Sequence, residues 1–237
     1  MRRGVGWFVG VAVFAVGVAA IGSTFAGAQG DDTRRGSDPL SADEVSTAIG
    51  DLGAPDSTAA PADAESLGAN GLPERLVLLV ERHLEAKDAD PALRRADVYE
   101  YSYTDDTLTR SVVDLADDTV DEETSGQGTQ LPLIEVEEQR ALELLFADDT
   151  FSARLDEEFQ AAMGRPLGDP DRELDVQPIV FRADAVPTVA QGAAAECGIH
   201  RCAQFLLQST DHVLINLFPL VDLSAGVVLT ADGVAGT

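Results

Sequence analysis

Basic residues are scarce in this chain. Lys87 is the only lysine, and 16 lysines and arginines stand against 42 acidic residues, which gives a net charge of −26 at pH 7. Nucleic acids and anionic lipid headgroups are bound through clustered lysines and arginines, so this balance excludes nucleic acid as a partner. The acidic surface is instead typical of a strongly solvated protein, or of one that meets cations.

Histidines and catalytic motifs are also few. The chain has three histidines, His83, His200 and His212, and they are widely spaced. The sequence contains no nucleophile elbow, phosphate-binding loop, zinc-protease motif or Cys–His nucleophile pair. We therefore predict a non-catalytic protein without a cofactor.

The first 28 residues have the pattern of an export signal. Arg2 and Arg3 precede an uncharged apolar stretch, and small residues at 26–28 match the spacing that a signal peptidase accepts. Cleavage there would leave Gln29 as the new N-terminus. Residues 5–28 are also long enough to span a bilayer, so an uncleaved membrane anchor is the alternative. Both interpretations predict an extracytoplasmic location, secreted or anchored.

Both cysteines lie in the short segment CGIHRC, residues 197–202. An even number of cysteines in an exported chain favours a disulfide. We predict a Cys197–Cys202 bond that ties a loop to the start of a strand. His200 would then be an exposed loop residue that titrates near its ordinary pKa of about 6.5.

The alternative for this segment is a metal site. Cys197, His200 and Cys202 are suitable ligands for copper or zinc, with His212 as a fourth ligand. Three ligands within six residues is an unusual spacing for structural zinc, however. A disulfide would also use up both sulfurs, so the two interpretations exclude each other, and the disulfide is favoured.

The folded part is predicted to begin near residue 71. Residues 29–70 are rich in Asp, Ser, Ala, Gly and Pro and have few large apolar side chains, which indicates a disordered acidic linker. Residues 71–123 are predicted to form a first α+β unit that opens with a helix over 72–88, because apolar positions recur there at helical spacing. His83 lies on that apolar face and is expected to be a core or boundary residue.

A hairpin follows this helix. Three tyrosines at positions 99, 101 and 103 alternate with other side chains, which is typical of a strand with one buried face. A turn at 104–107 and a return strand at 108–115 complete the hairpin. A short third strand is expected after it.

Residues 131–230 are predicted to form a second α+β unit. Two helices are expected over 134–149 and 149–164, the second ended by Gly164. A strand over 174–182 contains Pro178, which indicates a sheet edge. Further strands are expected at 202–208, 213–223 and 227–230.

A short motif occurs in both units. The segment SVVDLADDTV at 111–120 matches PLVDLSAGVV at 219–228, with Asp114 and Asp222 in equivalent positions. Each motif ends the second limb of a predicted hairpin, and each unit opens with a predicted helix. We predict a duplicated α+β unit, although any strand that enters a tight turn favours such a sequence by itself.

These segments also resemble a known family. Residues 94–120, RRADVYEYSYTDDTLTRSVVDLADDTV, resemble the small α+β domains that precede the catalytic domain of copper amine oxidases. Residues 131–155, LPLIEVEEQRALELLFADDTFSARL, are similar to the opening of the next small domain in that family. The resemblance implies two tandem units, each with a helix packed on a small antiparallel sheet.

The resemblance does not extend to the chemistry of the family. No sequence remains here for the large catalytic domain, for the tyrosine that becomes its cofactor, or for its three copper-binding histidines. We therefore expect an exported, non-catalytic protein with a binding or accessory role toward a protein or small-molecule partner. The alternative is a metal-binding or redox accessory protein that uses Cys197, His200 and Cys202.

Overall fold

A computed structural model describes residues 38–52, 67–84, 93–181 and 194–229. These residues form helices and two four-stranded antiparallel sheets, so the predicted α+β class is confirmed. The signal segment and most of the linker prediction lie outside the described residues. Within the described ranges, no helix is long and apolar enough to cross a membrane.

The first sheet, sheet 1, has the strand order β1-β2-β3-β4, and the second, sheet 2, has the order β5-β6-β7-β8. In chain order, the elements are α1 (Ala42–Asp51), β1 (Arg75–Arg82), β2 (Arg95–Ser102), β3 (Thr107–Asp114), β4 (Thr119–Gly126), α2 (Glu135–Ala147), α3 (Asp149–Met163), α4 (Pro170–Glu173), β5 (Leu174–Val180), β6 (Cys202–Ser209), β7 (Leu220–Asp222) and β8 (Val227–Leu229).

The predicted hairpin of sheet 1 is confirmed. β2 pairs with β3, and Tyr101 lies opposite Leu108. Tyr101 and Tyr103 are buried in the main core, while Tyr99 is half-buried and packs against it. The alternation of side chains along a strand places these three rings on one face.

The helix predicted over 72–88 is wrong, because strand β1 occupies this segment. Leu76 and Leu78 enter the main core, whereas Val77 packs in a second cluster on the opposite face of sheet 1. A strand covered on both faces is a continuous apolar run, and periodicity does not separate such a run from a buried helix.

The predicted disordered linker is also wrong at residues 42–51, which form α1. Ser41 caps the helix, and its side chain and that of Glu44 form a reciprocal capping box. Ala48 and Ile49 pack against the outer face of sheet 1. Arg94 donates from Nε to the Glu44 carboxylate at 2.7 Å, and this hydrogen bond lowers the pKa of Glu44 to about 2.

Sheet 2 follows the predicted order of elements, with one difference. Gly164 ends α3 in a left-handed conformation, and Pro178 lies on the edge strand β5, both as predicted. The strand expected over 213–223 is reduced to β7. The residues before β7 run irregularly and bury Ile215 and Leu217 in the core, and Pro219 lacks the N–H that would continue a ladder.

One core contains residues from both sheets. Tyr101 and Leu108 of sheet 1 share a cluster with Phe205 and Leu207 of sheet 2 and with the buried faces of α2 and α3. The boundary predicted at residue 123 falls inside β4, the last strand of sheet 1, and the second predicted unit, 131–230, begins just before α2. The two sheets nevertheless bury their inner faces in a common interior.

The two copies of the short motif lie at comparable places. Asp114 ends the third strand of sheet 1 and Asp222 ends the third strand of sheet 2, and both sheets have the same antiparallel order. Four residues later, Asp118 and Gly226 both have positive φ, 52° and 69°. The strand order and direction thus agree with duplication, which stays a prediction.

The packing of α1 on sheet 1 gives a direct test. Ala48 has no exposed surface. We expect Ala48→Glu to detach the helix, because a carboxylate without a partner would be buried at that contact. Amide hydrogen exchange across residues 42–51 should then accelerate at least about tenfold. Ser46→Glu, at an exposed position of the same helix, is the control. Unchanged protection in Ala48→Glu would contradict the packing described here.

Candidate functional site

The predicted disulfide is confirmed. Cys197 and Cys202 are bonded, with their Cα atoms 5.6 Å apart. Both sulfur-bearing residues are buried, in a small cluster with Phe181, Ala194 and Leu220. The bond closes a short loop at the entry to β6 and fixes the backbone that carries His200 and Arg201.

His200 lies between two carboxylates. Its Nδ1 is 2.7 Å from Oδ2 of Asp222, the aspartate of the second short motif. Its Nε2 is 3.6 Å from Oδ2 of Asp106, which lies in the turn between β2 and β3. The imidazole therefore bridges the turn of sheet 1 and the third strand of sheet 2.

The carboxylate of Asp106 also accepts two hydrogen bonds from hydroxyl groups. Its Oδ1 accepts from the hydroxyl of Tyr101 at 3.0 Å and from the hydroxyl of Ser224. Asp106 has a φ of 51°, in the left-handed region that aspartate tolerates better than most residues. We call His200, Asp106, Asp222, Ser224 and Tyr101 the junction cluster.

The expectation that His200 is an exposed residue with an ordinary pKa is wrong. Its side chain is 28% exposed. Burial alone would lower the pKa of His200. The hydrogen bond and charge of Asp222, with the charges of Asp106 and Glu196, outweigh that effect and raise the pKa above 6.5.

Arg201, the next residue, is completely buried. Its guanidinium donates through Nε and Nη2 to the carboxylate of Glu137 in the first turn of α2, with a distance of 2.7 Å from Nη2. Its remaining N–H groups reach Gln130 Oε1 and the backbone carbonyls of Leu131 and Pro132. All five N–H donors of the guanidinium are thus used.

Glu137 is equally buried and equally engaged. Its Oε1 also accepts from the hydroxyl of Tyr103, and its Oε2 accepts from the backbone N–H of Ile134, which caps α2. Burial, followed by the charge of Glu137, raises the pKa of Tyr103 well above its ordinary value, so the phenol stays a hydrogen-bond donor. The guanidinium of Arg201 also lies over the ring of Tyr101.

This arrangement holds elements together rather than activating a nucleophile. Ser224 donates to Asp106 and accepts from the backbone N–H of Arg201, so its hydroxyl is directed to groups other than the imidazole. The imidazole faces two carboxylates. A Ser–His pair needs a direct hydrogen bond between hydroxyl and imidazole, which is not the geometry found here.

The disulfide argues against the alternative metal site at Cys197, His200 and Cys202. With Cys197 and Cys202 bonded to each other, neither sulfur is a thiolate. His200 contacts Asp222, and His212 lies in the turn after β6, where its Nδ1 is 3.0 Å from the side-chain nitrogen of Gln208. Across the described ranges, no group of three or more His, Cys, Asp or Glu side chains is arranged to hold a metal ion.

His83 lies in a separate polar group at the end of β1. Its Nδ1 is 2.9 Å from Oδ1 of Asp97, which also accepts from Arg110 at 2.7 Å. His83 is therefore a boundary residue, as predicted, although it follows a strand instead of lying on a helix.

The sequence interpretation missed the residues that carry most of the buried charge. Arg201 enters the sequence interpretation only as part of CGIHRC, and Glu137 only within the segment that resembles amine oxidases. Arginine is almost never fully buried unless it is paired, so no local signal placed Arg201 in the interior. Its partner, 64 residues away, had no local signal.

Comparison with known proteins gives only weak similarity to solved structures. No protein-family model and no curated protein matches the chain. A crystal structure of a copper-containing benzylamine oxidase from Hansenula polymorpha is similar, with 15% sequence identity over 81% of this chain and a TM-score of 0.42. The chain spans 29% of the length of that oxidase.

The environment of His200 predicts a pH dependence. Because its pKa is raised on folding, the stabilisation by the protonated imidazole is fully present below about pH 6.5. It is lost as the pH rises through the folded pKa, which lies above 6.5. We expect the free energy of unfolding, measured with urea at a series of pH values, to fall across that window.

Two variants make this measurement specific. His200→Gln removes the titrating group and should flatten the slope above pH 6.5. His212→Gln, at an exposed position, should leave the slope as it is in the unmodified protein. A slope that persists in His200→Gln would assign the titration to another group.

Removing one partner of the buried Arg201–Glu137 pair is expected to lower the free energy of unfolding strongly. Glu137→Ala would leave the Arg201 guanidinium buried without its carboxylate, and we expect a loss of about 3–5 kcal/mol in the free energy of unfolding. Glu143→Ala breaks an exposed pair with Arg140 on the same helix and should cost less than about 1 kcal/mol. Similar losses in the two variants, measured by urea unfolding, would argue against a dominant buried pair.

Proposed function

We propose that this chain is an exported, non-catalytic protein that acts outside the cytoplasm by binding a partner. The observation that carries the proposal is the buried Cys197–Cys202 disulfide. Disulfides persist in oxidising compartments and are rare in the cytosol of most organisms. The signal pattern of the first 28 residues supports the same location.

The geometry of the polar groups favours binding over catalysis. Arg201, Glu137 and the junction cluster hold α2, sheet 1 and sheet 2 to one another, and their donors and acceptors are directed at each other. Such groups stabilise a scaffold. Recognition would then fall to the acidic outer surface, where side chains are open to solvent.

The resemblance to amine oxidases supports an accessory role. The small domains of that family lie outside its catalytic domain, and this chain has the same α+β class. Copper-dependent oxidation is not part of the proposal, because no residue of this chain matches the metal or cofactor motifs of the family.

The location is tested on protein isolated from the native host. We expect intact mass to show a mature chain that begins at Gln29, and thiol titration under denaturing conditions to find no free cysteine. A variant that lacks residues 2–28 is the control, and it should remain in the cytoplasm with two free thiols. A full-length mass in the membrane fraction would show an anchor in place of cleavage. Recovery of the unmodified chain from the cytoplasm with two free thiols would contradict the proposal.

A further inference from the structure

Strand β4 has an unusual exposure. All eight of its residues, Thr119–Gly126, are exposed, so neither of its faces is covered by the described part of the chain. It pairs with β3 on one side and forms an end of sheet 1. Acidic residues and glycine are poor strand formers, and a strand that buries nothing large adds little stability. Packing within the chain therefore does not account for the length of this strand.

The other three sheet edges differ from β4. In sheet 2, β5 carries Pro178, and β8 has three residues within the described ranges. In sheet 1, β1 has three consecutive buried residues and packs into the interior on both faces. Proline, short length and coverage are the usual means of protecting an edge against pairing. β4 is long and uncovered, and presents alternate N–H and C=O groups to solvent.

Charge decides which strand can pair with this edge. Five exposed acidic residues lie in and just before β4: Asp117, Asp118, Asp121, Glu122 and Glu123. Pairing with β4 of a second copy would bring carboxylates opposite carboxylates, and like charges directly opposite each other are destabilising. A strand with basic side chains would instead place opposite charges across the same ladder.

A buried carboxylate on sheet 1 also favours a partner with basic side chains. Glu100 shares a face of sheet 1 with Glu123, and its side chain is only 5% exposed. Its Oε1 contacts Arg75, but its buried Oε2 has no hydrogen-bond partner in the described part of the chain. Burial raises the pKa of Glu100, and the charge of Glu123 raises it further. A cation beside Glu123 would offset the contribution of that charge.

We infer that β4 is a docking edge for a basic, extended segment of a protein partner, which joins sheet 1 as a fifth strand. The inference rests on the proposed function, because it names the class of partner that the binding role would require. Main-chain hydrogen bonds to β4 would supply affinity, and alternate side chains would supply specificity.

The register of sheet 1 predicts how the basic side chains are distributed. Side chains of an added strand point to opposite faces in turn. On one face they would meet Glu123. Glu100 lies on the same face farther into the sheet, in the neighbouring row of paired residues, which also contains Thr109 and Ser125. On the other face they would meet Glu122.

A pair of peptides tests strand addition against simple charge attraction. The probe is a fluorescent peptide of about twelve residues that alternates lysine with threonine, added to the purified full chain. Its control has the same number of lysines in a repeat of Lys-Lys-Pro-Pro, which keeps the net charge but removes backbone N–H donors from both edges of the strand. We expect the threonine peptide to bind at least about tenfold more tightly by fluorescence anisotropy. It should also slow amide hydrogen exchange across residues 119–126.

A pair of charge-reversal variants locates the site. Glu122→Lys/Glu123→Lys should weaken binding of the threonine peptide at least about tenfold. Asp156→Lys/Glu157→Lys makes the same change of net charge at exposed positions of α3 and should leave binding within about twofold. All four side chains are exposed, so thermal unfolding is expected to be nearly unchanged.

Three results would overturn the inference. Equal affinity for the two peptides, or equal loss in the two variants, would show attraction by net charge alone. A concentration-dependent dimer in ultracentrifugation, with β4 amides already protected before peptide is added, would assign the edge to a second copy. These outcomes are separable from the proposed function, since cytoplasmic recovery with free thiols would reject export while leaving the binding measurement as found.

Discussion

A fully buried arginine and a fully buried glutamate hold the interior of this protein in register. Taking both charges out of water is costly, and only close contact with complete hydrogen bonding offsets that cost. Arg201 and Glu137 meet this condition, because the guanidinium also binds the carbonyls of residues 131 and 132, and the carboxylate also binds Tyr103 and the start of α2. One pair thereby connects the segment between the two sheets, a helix, the hairpin of sheet 1 and the entry to β6.

The neighbouring contacts depend on this placement. The backbone that carries Arg201 also carries His200 and is closed by the disulfide, so the imidazole is held against Asp222 and close to Asp106. The two sheets share one apolar core beside these polar contacts. The result is a scaffold whose reactive groups are used internally. Binding is therefore left to the periphery, where β4 extends beyond the covered part of sheet 1.

Much of this architecture is encoded locally and can be predicted from the sequence. The helices α2 and α3, the stop at Gly164, the edge position of Pro178 and the buried tyrosines each have a signal within a few residues. The disulfide could also be predicted, because the spacing of the cysteines and the export pattern both favour it. Each Val-Asp-Leu segment was predicted to end the second limb of a hairpin, and Asp114 and Asp222 do end strands, β3 and β7.

The rest depends on contacts between distant residues. Both faces of β1 are buried because α1 covers one of them. An isolated helix as short as α1 is not stable, so α1 in turn depends on its packing against sheet 1. The Arg201–Glu137 pair spans 64 residues, and Asp106 and Ser224 are 118 residues apart. No local pattern shows such partners, so the sequence indicates neither that Tyr101, His200 and Asp222 meet nor that Asp106 and Ser224 join them.

The central claim is that the buried pair joins the two sheets into one cooperative body. Native-state hydrogen exchange in increasing denaturant tests it most directly, because it reports the opening free energy of each strand separately. The slowest amides of β2–β3 and of β6 should converge on one opening free energy and one dependence on denaturant. Two separate values, with one sheet opening fully while the other stays protected, would contradict the account.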